Sequence, residues 1–469
     1  MVVGRQWRRR LRLVPVPPPR SFAAFRLPAL LAHHQVALSF LLLVALGTGL
    51  LLLPASTPAG QAIDFVDALF TATSAACVTG LTVRDTGTGF TPFGQGVILA
   101  LVQLGGLGIM TLSLLVFTLG GRLSIGQLSL VEQTFAAPGS PDLRELVRLV
   151  FLSTLSIEAT GTAVLFMRWQ ETLGPAKALW FGCFHAVSAF CNAGFSLFPD
   201  NLVSWRRDWT VNLVVIALIV LGGIGFLVLH DLRRTGLRLR GLGLHARLAL
   251  ATTGLLLAFG TLALWAIEGR GSFAAMAPVE RFQAALFQSV TARTAGFNTV
   301  DFATLAPASL LLVILLMFVG GSPGSCAGGI KTTTAAVLLL TTRARLGGRQ
   351  HVNVFHRTLP ARLVQTAFAL TSLAFAAAAL GLFTLLLLEG AAVGNGDLSP
   401  LDLAFETVSA LGTVGLSTGI TSRLSEGARL VLSLLMFVGR VGPLTLAAIF
   451  VGDERPDDLR HPEEQTMVG

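Results

Sequence analysis

Apolar runs of membrane-spanning length recur along this chain, and no other feature limits its folding so tightly. Residues 36–53, 97–119, 211–229, 248–267 and 363–388 each lack Asp, Glu, Lys and Arg, and the run 310–319 resumes past an interruption as far as 340. About 20 consecutive apolar residues cross a hydrocarbon core. The chain is 53% hydrophobic and 13% charged, against about 25% charged for a soluble domain, so lipid is its main solvent. Within lipid every backbone polar group must be satisfied internally. The runs therefore predict a polytopic all-α membrane protein.

The formal charge of +9 is carried by arginine, since Lys177 and Lys331 are the only lysines. Arginines gather at 5–26, 233–247 and 343–362, between apolar runs rather than on one soluble face. That distribution argues against nucleic-acid binding and, by the positive-inside rule, makes these stretches cytoplasmic. Loops of mixed or acidic charge at 200–208, 268–281 and 389–402 alternate with them. The basic, proline-rich residues 1–33 read as a cytoplasmic arm rather than a signal peptide, and the polar residues 453–469 as a cytoplasmic tail. Cys77, Cys183, Cys191 and Cys326 have no metal-ligand spacing and read as small buried residues. No metal is expected beyond a transported ion.

Four segments of the chain resemble one another: "LFTATSAACVTGLT" (69–82), "CFHAVSAFCNAGFS" (183–196), "LFQSVTARTAGFNT" (286–299) and "AFETVSALGTVGLS" (404–417). Phenylalanine leads to glycine in ten residues in three copies and in nine in the third, from Phe287 to Gly296. Each copy lies between two apolar runs. The second of these carries a glycine cluster 24 to 28 residues beyond the glycine: "GGLG" (105–108), "GGIG" (222–225), "GGSPG" (320–324) and "GRVG" (439–442). Four copies in register divide the chain into repeats at 34–122, 123–235, 236–345 and 346–452, with eight transmembrane helices expected.

The roughly ten residues before each glycine are too few to span a bilayer. Non-helical backbone at membrane depth survives only where it is buried or lines an aqueous cavity. Each copy should be a half-helix followed by an extended stretch whose carbonyls face a pore. Glycine permits φ > 0 and close approach to an ion, and four such stretches around one axis would replace a cation's hydration shell. The expected filter comprises Val78, Thr79 and Gly80; Asn192, Ala193 and Gly194; Thr294, Ala295 and Gly296; and Thr413, Val414 and Gly415, with side chains packed outward. One glycine among fifty would ordinarily be a helix-packing residue; fourfold register favours the filter.

These residues resemble the Trk/Ktr/HKT superfamily of potassium transporters and, through the short arm before the first repeat, its KtrB type. The resemblance covers roughly residues 34 to 452. It departs from a potassium-channel filter in having Leu81 and Leu416 where an aromatic is usual, and Cys77 and Cys191 near filter positions. It implies potassium uptake across the bacterial plasma membrane, one pore per subunit of a homodimer, Na+ as a modulator, and a KtrA-like cytoplasmic nucleotide-binding regulatory ring. A cation symporter or a Na+-permeable transporter of the same fold remains the alternative. Both classes use broken helices near the midplane.

The stretch "GGSPGSCAGGIKTTT" (320–334) invites a phosphate-loop reading, but Ile330 separates Gly329 from Lys331, and no soluble strand precedes it. Glycine and proline instead weaken helix here. Gly320, Gly321, Ser322, Pro323, Gly324, Ser325, Gly328, Gly329 and Lys331 are expected to unwind the third inner helix, and the resemblance implies a gate beneath the filter. Arg440 and Glu158 interrupt apolar runs, where charges face the bundle interior or a cavity. Arg440 is expected to act as a barrier and hold this loop, with Glu158 as an alternative partner, and Arg293 to anchor the third pore loop. His185 and His230 lack partners at ligand spacing, and no Ser-His-Asp or paired-carboxylate arrangement suggests an enzyme.

Overall fold

The computed structural model describes residues 23–120, 143–236 and 241–442, with side chains for 36–108, 148, 150–236 and 241–442. Most of the expected N-terminal arm, the tail at 453–469, the boundary between the first two repeats and part of the basic stretch 233–247 lie outside the described residues.

The described chain is helical: α1 (Ala23–Leu51), α2 (Phe65–Ala76), α3 (Pro92–Gly120), α4 (Leu143–Leu173), α5 (Pro175–Phe190), α6 (Trp209–Ile224), α7 (Phe226–Thr235), α8 (Leu244–Glu268), α9 (Pro278–Thr291), α10 (Pro307–Phe318), α11 (Thr332–Leu346), α12 (Ala361–Leu388), α13 (Pro400–Gly412) and α14 (Glu426–Val441). A small hairpin of β1 (Asn353–Val354) and β2 (Arg357–Thr358) precedes α12. Among the described residues, Val150–Leu173, Leu244–Glu268 and Ala361–Leu388 are long and apolar enough to cross a membrane. Their outward faces are greasy: Phe375 and Leu380 are each 68% exposed. Lipid, rather than protein, is the natural cover for such a surface.

Four short helices, α2, α5, α9 and α13, do not span. Proline stands at the start of α5, α9 and α13, where its fixed φ suits a first turn and its missing N–H costs nothing. Their C-terminal halves are almost wholly buried, so the negative ends of four helix dipoles lie in the protein interior. One apolar core joins Phe70, Cys77 and Leu81 to Leu411, Leu432 and Met436, bringing the first and last quarters of the chain together. Arg429 Nη1 donates to Asp67 Oδ1 at 2.6 Å across the same junction. Phe302 and Phe405, with ring centroids 5.6 Å apart, join the third quarter to the fourth.

Three of the helices following the four short helices are interrupted at their glycine clusters and the fourth ends at its own, whereas sequence alone singled out only the third. Gly108 (φ 48, ψ −130) breaks α3, Gly225 (φ 100, ψ 140) separates α6 from α7, and Gly442 (φ 94, ψ 132) ends α14. The α6–α7 pair, whose break lies within the apolar run 211–229, bends by 99°. These backbone conformations are closed to ordinary side chains, so the glycines determine where the breaks fall. Among the described residues the third break is the longest, with 319–331 non-helical between α10 and α11.

Candidate functional site: a ring of backbone oxygens

At the end of each short helix a non-glycine residue turns into the left-handed region: Val78 (φ 58), Asn192 (φ 59), Thr294 (φ 66) and Thr413 (φ 48). Such a conformation is uncommon outside glycine and an outlier for the β-branched Val and Thr. It costs on the order of 1–3 kcal/mol per residue and persists only where surroundings dictate it. Here the helix end dictates it. Thr79 N and Gly80 N donate to Ser74 O (2.7 Å) and Ser74 Oγ (3.1 Å), and Val414 N and Gly415 N donate to Ser409 O (2.8 Å) and Ser409 Oγ (3.1 Å). Ala193 N donates to Ser188 O at 2.7 Å, and Ser188 Oγ to Phe195 O at 2.8 Å. In the copy one residue shorter, Ala295 N reaches Thr291 O at 3.0 Å, four residues back rather than five. The missing residue is absorbed at the helix end, and the turn survives.

The four turns meet. A methyl group in place of hydrogen on Gly194 would lie 2.7 Å from Gly296 Cα; on Gly296, 2.7 Å from the Val414 oxygen. The same change on Gly80 would strike the Ala193 oxygen, and on Gly415 the Thr79 oxygen. Gly80, Gly194, Gly296 and Gly415 thus form a closed circuit, with the oxygens of Thr79, Ala193, Ala295 and Val414 against the neighbouring glycines. Val78, Thr79, Asn192, Ala193, Thr294, Ala295, Thr413 and Val414 are all buried. Thr79 Oγ1, Thr294 Oγ1 and Thr413 Oγ1 have no hydrogen-bond partner among the described residues.

A cavity of about 490 Å³ adjoins one side of the ring, lined by all four glycines together with Asp85, Asp200 and Asp301. A second, of about 470 Å³, contains Gly324, Gly328, Gly329, Lys331, Gly412 and Arg440, and no carboxylate among its described lining residues. One cavity is electronegative, and the other holds fixed positive charge.

The 319–331 loop lines the second cavity and, at Gly328, abuts Thr413 of the fourth turn. Ser322 N (2.9 Å) and Cys326 N (3.1 Å) donate to the Gly223 and Gly222 oxygens, which end α6, and Phe226 N, which begins α7, donates to Gly324 O (2.9 Å). The broken second helix and the unwound third thereby satisfy each other's orphan backbone groups, as buried helix ends require. Gly321 packs against Gly223 and Ala327, and a methyl on Gly328 would collide with Thr413 Oγ1. Gly320 N donates to Ile330 O (2.9 Å), Ser325 Oγ to Ser322 O (2.7 Å), and Lys331 Nζ to Ala327 O (2.7 Å). Pro323 presents its oxygen to Gly225, where only a glycine leaves room.

Arg440 Nη1 donates to Cys326 O on the loop at 2.6 Å, while Nη2 donates to Gly105 O and, at 3.3 Å, to Gly106 O. One planar guanidinium therefore joins the loop to the broken first inner helix. Arg293 Nη2 holds the loop's other end through Gly320 O at 3.1 Å. Glu158 is placed apart from both, accepting from Gln103 Nε2 at 3.2 Å with Cys191 Sγ 3.9 Å away. Sequence reasoning missed Gln103, which lies in an uncharged run with no pattern to mark it.

A helical, multi-pass membrane protein with a ring of backbone oxygens bordering a carboxylate-lined cavity fits the class that moves ions. Residues 32–455 match the TrkH family, described as cation transport protein. The chain is 39% identical over 437 residues to the Ktr system potassium uptake protein B of Bacillus subtilis (strain 168), covering 92% of this chain and 96% of that one. It is 35% identical over 438 residues to the potassium/sodium uptake protein NtpJ of Enterococcus hirae, covering 92% and 96%. The crystal structure of the potassium transporter TrkH from Vibrio parahaemolyticus shares the fold with a TM-score of 0.71, over 90% of this chain and 84% of that one, at 20% identity. The chain belongs to the TrkH family of cation transport proteins.

Proposed function

We propose that this chain takes up potassium through a filter formed by Val78–Gly80, Asn192–Gly194, Thr294–Gly296 and Thr413–Gly415. The observation that carries the reading is the closed glycine circuit with four backbone oxygens against it. Four helix dipoles end toward the ring, giving it negative potential without formal charge, and carbonyl oxygens substitute for water around a cation. The names of the relatives support potassium as cargo.

In this reading the four repeats supply eight membrane-crossing units, at 34–122, 123–235, 236–345 and 346–452, around one pore in each subunit of a homodimer. Loop 319–331 is the gate, Arg440 its latch, and Lys331 a second positive charge on the barrier. Both termini and the exposed arginines Arg343, Arg345, Arg349 and Arg357 face the cytoplasm of a bacterial plasma membrane. These arginines offer a docking surface to a KtrA-like nucleotide-binding ring. Sodium enters as modulator or, in the second reading favoured by the potassium/sodium relative, as cargo. Uptake into proteoliposomes, K+ against Na+ with and without a pH gradient, tests this directly. Potassium-selective flux indifferent to the pH gradient is expected; obligatory proton or sodium coupling would instead make the chain a symporter.

A further inference from the structure

One register position has a fourfold pattern of its own. The residue after the leading phenylalanine of each short helix is Thr71, His185, Gln288 or Glu406, and all four are buried. Eleven residues further on stand Thr82, Ser196, Thr299 and Ser417, each just past its filter glycine. The spacing is eleven in every copy, although the third is one residue shorter between phenylalanine and glycine.

Three of these pairs are hydrogen-bonded. His185 Nε2 lies 2.9 Å from Ser196 Oγ; Nδ1 is 2.7 Å from Phe181 O, which can only accept, so Nδ1 carries the proton. Leu197 N also approaches Nε2, at 3.4 Å. Gln288 Nε2 donates to Thr299 Oγ1 at 2.9 Å. Ser417 Oγ donates to Glu406 Oε1, and Thr421 Oγ1 is 3.2 Å from both carboxylate oxygens. In the first copy Thr71 Oγ1 has no hydrogen-bond partner among the described residues.

We propose that His185, Gln288 and Glu406 are positioning residues for selectivity, each tying a short helix to the non-helical segment leaving its filter, and that the first filter, lacking this tie, is the compliant quarter. The inference rests on the filter reading above. A filter discriminates between ions through the number and field strength of its oxygens, and the ties fix how far each turn relaxes around a smaller ion. Three chemically different side chains perform the task because it requires a bond of fixed reach, not a particular group. Threonine at position 71 is too short to supply it.

The test measures the K+/Na+ uptake ratio and the maximal K+ rate in proteoliposomes for Gln288→Leu, Thr299→Val, their double variant, Ser417→Ala and Glu406→Gln, with Gly296→Ser alongside. Removing one tie should lower the ratio roughly two- to tenfold, the range of a single net hydrogen bond, and change the K+ rate less. Gln288→Leu and Thr299→Val break the same tie from opposite sides, so the double variant should match either single one. Glu406→Gln keeps an acceptor for Ser417 and should retain most of the ratio. Unchanged ratios in assembled Gln288→Leu, Thr299→Val and Ser417→Ala, with a changed ratio in Gly296→Ser, would overturn the ties and leave the filter standing. An unchanged ratio in Gly296→Ser as well would overturn the filter reading itself. If one single variant fails to assemble, its partner and Ser417→Ala still decide the question.

Discussion

Arg440 Nη1 and the Cys326 oxygen, 2.6 Å apart, join residues separated by 114 positions and fasten an unwound segment to the last inner helix. The other terminal nitrogen of Arg440 engages Gly105 and Gly106 just before the break at Gly108. The unwound carbonyls need donors, and a guanidinium serves several at once. In the proposed account this is the closed state, with positive charge beneath the ring opposing cation passage.

Arg440→Ala should therefore raise basal K+ uptake. Hydrogen bonds to a charged group contribute about 1.5–3 kcal/mol each, so losing one shifts a closed–open equilibrium by roughly tenfold or more. Shortening residues 321–328 should also raise flux, and the combination should add little, because both remove one barrier. A fall in flux in correctly inserted Arg440→Ala protein, measured by Rb+ uptake, would make Arg440 structural.

Gly296→Ser and Gly80→Ser should lower K+/Na+ discrimination. The side chain meets backbone of the adjacent turn, and φ is +79 at Gly296 and +95 at Gly80. A displacement costing on the order of 1–3 kcal/mol corresponds to about tenfold or more in selectivity. Gly254→Ser, with open space around its Cα, is the control expected to behave as the parent. Competition of Na+ against K+ uptake gives the answer.

The four meeting turns are legible in the sequence because four copies share one spacing, and periodicity outlasts changes of residue type. Thr413-Val414-Gly415 and Asn192-Ala193-Gly194 have little in common except position. The breaks at Gly108 and Gly225 and the helix end at Gly442 are hidden, since glycine pairs in apolar runs also serve straight packed helices. What decides the matter is distant: Ser322, Cys326 and Arg440 supply the donors that make a broken helix affordable at membrane depth. Packing likewise gives Glu158 its partner Gln103. The eleven-residue ties were present in the sequence but masked, because Thr, His, Gln and Glu do not look alike.

Asp85→Asn, Asp200→Asn and Asp301→Asn, alone and combined, should reduce the K+ uptake rate at low ionic strength. Three carboxylates around one cavity mouth concentrate cations by long-range attraction. The loss should be about two- to threefold per residue and fade as salt screens the field. Uptake kinetics at two ionic strengths decide; an equal loss at both would mean that the carboxylates hold loop structure through Thr88 and Ser204 instead.

Reversal of Arg343 and Arg345 to Glu should weaken copurification with a KtrA-like ring by about tenfold at low salt and less at high salt. Basal flux should remain, since both side chains are exposed at the end of α11, away from the ring. Full binding after reversal would move the docking surface elsewhere.

The central claim is that the oxygens of Thr79, Ala193, Ala295 and Val414 hold the transported ion. Anomalous diffraction from crystals grown with Rb+ in place of K+ tests it most directly. The account predicts Rb+ density within the glycine circuit, lost when Na+ replaces Rb+ and when Gly296 is changed to Ser. Ordered Rb+ elsewhere in the protein, with an intact circuit empty at the same occupancy threshold, would contradict it.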